Sequence, residues 1–237
     1  MSASIQYLGH SCILITSCAG RKILVDPYLS ENEHAVVQPQ DLKDINAILI
    51  SHGAFDHIGD AFAIAKNTGA TVFSDIVVLK YAIARGVPRE KTRALIYGTN
   101  LVQDGVQIRS IEAKHISHFS YDGKDVTGVA MSFVIRLEDG TGIYFSGDTS
   151  IYSDMKFFGE LYPVKIGFFC VSGLPGLAYE MDGREGALAA KMFNPEIAIP
   201  IHCSPDDPEI TAFTKELGRI APTVRPLVLK PGEILPL

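Results

Sequence analysis

The chain has 237 residues, and its 21 Lys and Arg are outnumbered by 27 Asp and Glu, so the formal net charge is -6 at pH 7. Affinity for nucleic acid rests on clustered Lys and Arg, and the scattered basic residues of this acidic chain therefore argue against a nucleic-acid partner. Hydrophobic residues make up 47% and charged residues 20%, which is typical of a globular protein and excludes a disordered chain. We expect one domain over residues 1–237, because single domains of about 200 to 250 residues are common.

The sequence predicts neither a membrane span nor an export signal. The longest apolar runs, such as residues 166–171, have the length of a strand, whereas a spanning helix needs ~18 or more apolar residues. The amino-terminal residues lack the basic and apolar regions of a signal peptide. The 4 cysteines form no Cys-x-x-Cys pair, and we interpret them as reduced thiols. We therefore expect a cytoplasmic protein with no membrane partner.

In the first half of the chain, strands come first and helices follow. Apolar runs bounded by turn residues predict strands over residues 4–8, 12–16, 22–25, 46–50 and 70–73. Apolar positions at helical spacing predict helices over residues 60–66 and 75–85. Gly86 and Pro88 end the second helix, because Pro disfavours the helical conformation in the residue before it.

The second half repeats this order. Strands are predicted over residues 106–112, 126–137, 142–145, 166–171, 197–200 and 224–229, and helices over residues 153–161, 183–193 and 207–220. Two groups of strands, each followed by helices, favour an α/β (α+β) protein in which two sheets pack face to face with helices outside both. The predicted architecture is therefore a four-layer αββα sandwich.

The clearest sign of chemistry is a loop that follows the strand predicted over residues 46–50. It carries His52, Asp56 and His57, and loops at strand ends are where catalytic groups concentrate. Neutral imidazoles and a carboxylate are ligands for zinc, iron or manganese. Any one of these residues alone is more simply explained as a cap or a surface residue. Three of them so close together favour a metal site.

Four further loops that are predicted to follow strands carry potential ligands. They are the loops with His10, with His115 and His118, with Asp148, and with His202. Six of the 7 histidines thus lie at predicted strand ends, and only His34 does not. Convergence of these loops on one pocket is the simplest explanation.

In chain order, these residues resemble the five-motif signature of the metallo-β-lactamase fold hydrolases. The matching motifs are His52-x-Ala54-x-Asp56-His57, His115, Gly147-Asp148-Thr149 and Ile201-His202. The beginning of the chain, with Tyr7-Leu8-Gly9-His10-Ser11 and Val25-Asp26-Pro27-Tyr28, resembles the small branch of that superfamily related to ascorbate-phosphate lactonases. The resemblance implies an αββα sandwich with a metal site at the edge between its two sheets.

The resemblance implies six metal ligands, of which two bind a first metal, three bind a second and one bridges the two metals. In that order they are His52 and His115, then Asp56, His57 and His202, then Asp148. For the first metal, the family usually has a third imidazole where this chain has Ala54, and a methyl group binds no metal. Whether the chain binds one metal ion or two therefore remains open. We expect the metal to be zinc, with manganese and iron as alternatives. His10 and His118 are candidates for the missing ligand.

Other residues are expected to support the ligands. Asp26 is predicted to accept a hydrogen bond from a ligand imidazole, or else to cap a turn. Cys203 follows His202, but neighbouring side chains of an extended segment point in opposite directions, so we expect Cys203 to pack rather than bind metal. His10 and His118 either orient the substrate or are ordinary hydrogen-bonded loop residues.

A metal site of this kind predicts a hydrolase. A divalent metal lowers the pKa of a bound water from about 15.7 toward 7, which supplies hydroxide at neutral pH. We expect this metal-bound hydroxide to attack an ester, a lactone or another activated C–O bond, with Asp56 holding the water. His10 and His118 are further catalytic candidates.

Aromatic residues flank the motif loops without a nearby cluster of Arg or Lys. They are Phe55, Phe119, Tyr121, Tyr152 and Tyr179. A phosphate or polyanion calls on such cations, so the flanking residues favour a small, weakly charged, aromatic substrate. The alternative is that these rings belong to the core.

Two other functions remain open. Ala54, together with Gly173 where relatives of this branch carry Asp, is also compatible with a non-catalytic or auxiliary subunit that pairs with an active relative. A small-molecule phosphodiesterase is the other alternative, because the same hydroxide attacks phosphoesters. The resemblance favours a homo-oligomer, and the auxiliary alternative favours a hetero-oligomer with a related chain.

Overall fold

The computed structural model of the protein describes residues 2–172 and 180–237. Gly173 and Tyr179, which bear on the predicted pocket, lie outside the described residues. The chain divides into two compact units, each built from several segments. Unit 1 contains Met1–Thr99, Ile116–Met131 and Lys230–Leu237, and unit 2 contains Asn100–His115 and Ser132–Leu229. That residues 1–237 form a single domain stays a prediction.

Strands and helices follow the predicted order, with several additions. The strands are β1 (Ser4–Gly9), β2 (Cys12–Thr16), β3 (Lys22–Val25), β4 (Ile45–Leu49), β5 (Thr71–Ser74), β6 (Thr92–Ala94), β7 (Asn100–Gln103), β8 (Val106–Tyr121), β9 (Lys124–Arg136), β10 (Gly142–Phe145), β11 (Ile166–Cys170), β12 (Ile197–Ile201), β13 (Arg225–Pro226) and β14 (Ile234–Pro236). The helices are α1 (Phe55–Ile58), α2 (Ala61–Thr68), α3 (Ile76–Ala84), α4 (Asp154–Leu161), α5 (Gly183–Phe193) and α6 (Pro208–Ile220).

The first sheet is mixed and has the strand order β14-β1-β2-β3-β4-β5-β6. Its strands β1, β2 and β3 are antiparallel neighbours, whereas β3, β4, β5 and β6 are parallel. Val25 at the end of β3 pairs with Leu49 at the end of β4. The carboxyl ends of parallel strands share one edge of a sheet, so the segments after β3 and β4 lie side by side. That edge carries Asp26 and Ser51.

The second sheet is also mixed, with the order β13-β12-β11-β10-β9-β8-β7. Here β10, β11, β12 and β13 are parallel neighbours. Phe145 pairs with Phe168, and Cys170 pairs with Ile201, so the loops after β10 and β12 leave the same edge. Two mixed sheets with helices confirm the predicted α/β class. In the part of the chain that the structure describes, no helix is long and apolar enough to cross a membrane.

Each unit has its own core. In unit 1, the sheet residues Ile48 and Val72 belong to one buried cluster with Phe62 of α2 and Leu79 of α3. In unit 2, the ring of Tyr144 stacks on that of Phe193 at a centroid distance of 3.9 Å, and both belong to the cluster that covers the second sheet. These apolar faces hold the two edges from which the functional loops leave.

One predicted boundary is wrong in a way that concerns the site. The strand predicted over residues 106–112 continues to Tyr121, so His115 and His118 lie within β8 rather than in a loop after it. Buried Ala113 and Ser117 continue the alternation of buried and exposed side chains. Several inward-facing residues of this part of β8 are polar, so a prediction based on apolar runs ended the strand too early.

The contact between α5 and α6 generates a test of the core. A Cβ atom on Gly183 would clash with the carbonyl oxygen of Glu209, whereas one on Gly218 would meet nothing within 4 Å. We expect Gly183→Ala to lower the free energy of unfolding by about 1–3 kcal/mol through overpacking. The matched variant Gly218→Ala should raise it by about 0.5–1 kcal/mol, because Ala is favoured over Gly inside a helix. Urea unfolding measures both, and equal stabilities would contradict this packing.

Candidate metal centre

The site in unit 1 is built on a buried carboxylate. Asp26 follows β3 with a φ of 44°, a left-handed conformation that is uncommon outside glycine. Its Oδ1 accepts a hydrogen bond from the backbone N–H of Ser51 at 2.7 Å, and its Oδ2 accepts one from Ser51 Oγ at 2.6 Å. Oδ2 also lies 2.7 Å from Nδ1 of His57. The side chains of Asp26 and His57 are fully buried, and the predicted contact of Asp26 with an imidazole is present.

These contacts set the proton positions on two imidazoles. Because Asp26 accepts hydrogen bonds, Nδ1 of His57 donates, and the lone pair of that ring is on Nε2. The hydroxyl of Ser51 has one hydrogen, which it gives to Asp26. Nδ1 of His52 lies 3.0 Å from Ser51 Oγ and therefore donates to it, so the lone pair of His52 is on Nε2 as well. Both imidazoles are thus in the tautomer that binds a metal through Nε2.

Asp56 and His10 belong to the same set in unit 1. Nε2 of His10 lies 3.2 Å from Oδ2 of Asp56, and the same oxygen lies 3.9 Å from Nε2 of His57. The three residues each offer a ligand atom within 4.8 Å of the others. His10 has a φ of 56°, and its backbone carbonyl accepts a hydrogen bond from the hydroxyl of Tyr7. Asp56 and His57 lie on α1, a short helix that the sequence did not predict.

The set in unit 2 is centred on Asp148. Its Oδ2 lies 3.1 Å from Nε2 of His202 and 3.9 Å from Nε2 of His115. The side chains of all three are less than 10% exposed. The bridging role that the family resemblance implies for Asp148 stays a prediction. His202 follows β12 with a φ of 62°, so it too has a left-handed backbone.

Backbone hydrogen bonds hold the residues of unit 2 in register. The N–H of Lys114 in β8 donates to Oγ1 of Thr149 at 2.9 Å, and the N–H of Ser150 donates to the carbonyl of Lys114 at 3.1 Å. These bonds fix the loop after β10 against the strand that carries His115. The N–H of Met181 donates to the carbonyl of Thr149 at 3.2 Å, which ties a third segment to the same loop.

Glu180 is a residue of this site that the sequence did not reveal. Its Oε1 lies 4.0 Å from Nε2 of His115, and its side chain is 10% exposed. With Asp148 and His115 it forms a group whose ligand atoms lie within 4.8 Å of one another. In the sequence, Glu180 stands just before Asp182, the residue that caps α5. It therefore looks like an ordinary acidic residue before a helix.

His118 belongs to neither set. Its Nε2 lies 3.6 Å from Oδ1 of Asp125, and its side chain is 44% exposed. Within unit 1, it is one of the residues that line a cavity. Ala54, the residue before α1, has an extended backbone and offers only its methyl group. A catalytic role for His118 stays a prediction, and its place is in the cavity wall.

Cys203 is held as a thiol by its surroundings. Burial, and secondly the charge of Asp207, raise the pKa of Cys203 to about 12, and its side chain packs against the core cluster of unit 2. The predicted packing role of Cys203 is compatible with this environment.

The cavity in unit 1 has a volume of about 500 Å³. Four aromatic rings line it, those of Tyr28, Phe55, Tyr81 and Phe119. The ring of Tyr28 lies 5.5 Å from that of His10 and 5.8 Å from that of Phe55, so the cavity wall is in contact with the residues around Asp56. A Cβ atom on Gly53 would clash with the ring of Phe119, and glycine at this position lets the ring approach the loop.

The aromatic residues that flank the motif loops lie in different parts of the structure. Phe55 and Phe119 line the cavity, and Tyr121 lies 4.9 Å from Tyr81. The hydroxyl of Tyr152 donates to the carbonyl of Glu112, and its ring packs on the core of unit 2. For Tyr152 the core explanation is therefore correct.

The spacing of the donors fits a metal ion in each set. Ligands about 2.0–2.2 Å from a tetrahedral zinc are about 3.3–3.6 Å apart. The separations are 3.1, 3.9 and 4.0 Å in unit 2, and 3.9 Å between Asp56 and His57 in unit 1. None falls inside that range, but each is within about 0.4 Å of it, so small side-chain shifts would bring the donors to bonding distance. Imidazole nitrogens and carboxylate oxygens are also suitable donors for zinc, manganese and iron. The residues of both sets are therefore suited to the metal that the sequence predicts.

Comparison with known proteins gives the family. The β-lactamase superfamily domain matches residues 4–202. A UPF0173 metal-dependent hydrolase of Pyrococcus abyssi is 37% identical over 235 residues, covering 98% of this chain and 99% of that protein. Another, of Methanopyrus kandleri, is 33% identical over 233 residues and covers 97% of each.

A solved structure agrees with these relatives. Igni18, a novel metallo hydrolase from Ignicoccus hospitalis, is 26% identical with a TM-score of 0.81, and the match covers 100% of this chain and 99% of that one. The predicted metallo-β-lactamase fold is thereby confirmed. Since the superfamily domain spans most of the chain and relatives above 30% identity match it almost end to end, the chain belongs to the UPF0173 metal-dependent hydrolases of the β-lactamase superfamily.

Proposed function

We propose that this protein, a metal-dependent hydrolase by family, cleaves an ester, a lactone or another activated C–O bond of a small, weakly charged, aromatic substrate. The observation that carries the proposal is the hydrogen-bonded chain from Asp26 through Ser51, which leaves Nε2 of His52 and His57 ready to bind metal. The relatives, which are described as metal-dependent hydrolases, support the same chemistry.

We infer that the metal is zinc, with manganese and iron as the other candidates. The ligands that we assign are those of the family resemblance: His52, Asp56, His57, His115, Asp148 and His202. When bound, a divalent metal lowers the pKa of a water from about 15.7 toward 7 and so supplies the nucleophile.

Proton transfer is the role that we assign to Asp56 and His10. The two side chains are in contact and are 18% and 21% exposed, so water reaches them. A carboxylate beside an imidazole accepts a proton from water and passes it to the imidazole. His10 also contacts the ring of Tyr28 in the cavity wall, and the imidazole is therefore placed to return the proton to a leaving group.

The cavity of unit 1 supports an aromatic substrate. Its four rings offer edges and faces for stacking, and such aromatic pairs contribute about 0.5–1.5 kcal/mol each beyond burial. Phe55 is 71% exposed, so its ring is accessible to a ligand in the cavity. A volume of about 500 Å³ is within the usual range of small-molecule sites.

Charge in the cavity disfavours an anion. Its described lining includes Glu31 and Asp60 but neither Lys nor Arg. Burial, and then the charges of Glu31 and Asp56, raise the pKa of Tyr28, so its phenol stays neutral. Phosphate groups call on Arg and Lys, and a phosphodiesterase is therefore disfavoured against an esterase or lactonase. Self-association and a cytoplasmic location stay predictions.

Hydrolysis of a panel of aromatic esters and lactones by the purified chain tests the proposal. We expect turnover that a chelator removes and zinc restores. His57→Ala and Asp148→Ala should each lower the metal content, because each removes a ligand. Each should also lower the rate by at least about 100-fold. Cys203→Ala is the control and should keep its metal. Metal content that is unchanged in His57→Ala would contradict the assigned ligands, and bis(p-nitrophenyl) phosphate as the only substrate would favour the phosphodiesterase.

The role of Asp26 is tested by Asp26→Asn. We expect the affinity for zinc to fall by about 10- to 100-fold, because the amide no longer fixes His57 and Ser51 as the carboxylate does. Asp122→Asn is a matched control, since Asp122 also has a left-handed backbone, with a φ of 50°, but is exposed. A competition titration with a chromophoric chelator measures both affinities. Equal affinities in the two variants would exclude this role.

The cavity is tested by Phe55→Ala. Loss of one aromatic contact of about 0.5–1.5 kcal/mol should raise the KM for an aromatic ester by about 2- to 12-fold, with a smaller effect on an aliphatic ester of the same acid. Phe157→Ala is the control, because Phe157 is also exposed, at 59%, and lies on α4. If both variants shift the KM equally, the cavity is not the substrate site.

A further inference from the structure

Glu180 lies against the ligands of unit 2 and has no role in the proposed function so far. Its Oε1 is 4.0 Å from Nε2 of His115, which in turn is 3.9 Å from Oδ2 of Asp148. All three side chains are at most 10% exposed. The hydrogen bond from the N–H of Met181 to the carbonyl of Thr149 fixes the backbone next to Glu180 against the loop of Asp148. The position of Glu180 is therefore defined by the fold.

The charge arrangement around His115 favours a cation. Two carboxylates, Asp148 and Glu180, face the same nitrogen of one neutral or singly charged imidazole. Buried carboxylates are costly unless they are paired or coordinate a metal. Lys114 is the neighbour of His115 in β8, but side chains alternate along a strand, and its ammonium pairs with Glu112 at 2.6 Å. A divalent ion would balance both carboxylates at once.

Ligand number gives an independent reason. His115 and Asp148 offer two ligand atoms, and Glu180 supplies the third of this group. Zinc sites hold the metal with three or four protein ligands of nitrogen, oxygen or sulfur. A carboxylate oxygen within 4.0 Å of His115 is close enough to share an ion with it.

We propose that Glu180 binds a divalent metal together with His115 and Asp148, the two neighbours whose ligand atoms lie within 4.8 Å of its own. The inference rests on the proposed function, since it presupposes that His115 and Asp148 bind metal. It adds a second carboxylate to the donors of the set in unit 2. Carboxylate donors are harder than imidazoles, so this change shifts the preference of that site toward manganese and iron.

Cobalt(II) titration of the metal-free, full-length chain tests the inference, with visible absorption and bound-metal analysis as readouts. The variants are Glu180→Gln, which keeps the size of the side chain, and the control Glu160→Gln on the exposed face of α4. Loss of a residue that only contacts a ligand weakens metal binding by about 10- to 100-fold, and we expect Glu180→Gln to weaken cobalt binding at one site by more than this. The absorption of the cobalt that remains bound should also change. Circular dichroism checks that each variant is folded.

The outcomes separate the inference from the proposed function. A wild-type chain that binds no cobalt or zinc overturns both. Binding by the wild type that is unchanged in Glu180→Gln overturns the role of Glu180 and leaves the hydrolase proposal intact.

Discussion

The site depends on one buried carboxylate. Asp26 accepts hydrogen bonds from the backbone and the hydroxyl of Ser51 and from the ring of His57. A buried charge without such partners would cost several kcal/mol, so the carboxylate and its donors stabilise one another. Because the hydroxyl of Ser51 is committed to Asp26, the tautomer of His52 follows from the same interaction. One side chain therefore sets the proton positions of two imidazoles.

Parallel strands explain why the donors gather at sheet edges. In each unit, a carboxylate or an imidazole follows a strand whose neighbour runs in the same direction, so consecutive loops leave one edge. Asp26 and Ser51 follow β3 and β4, and Asp148 and His202 follow β10 and β12. The cores beneath these strands are apolar and buried, and such a scaffold can support loops that carry polar and strained residues.

Much of this could be predicted from the sequence where local signals are strong. Helix α5 was predicted at its observed bounds, because Asp182 and Glu185 form a capping box at its start and Asn194 ends it in a left-handed conformation. Helix α1 has only four residues, too few for any periodicity. The continuation of β8 was missed because its inward-facing positions include the polar residues His115 and Ser117. Contacts between distant segments, such as that of Glu180 with His115, leave no periodic trace in one sequence.

Three residues of the candidate metal centre have a left-handed backbone. His10, Asp26 and His202 have φ values of 56°, 44° and 62°, and this conformation costs a residue with a side chain up to about 1–2 kcal/mol. Glycine at any of the three would relieve that cost and remove a functional group. Selection for thermal robustness alone would thus tend to erase the centre. At these three positions, the side chain that the chemistry needs and the residue that the backbone prefers are therefore different.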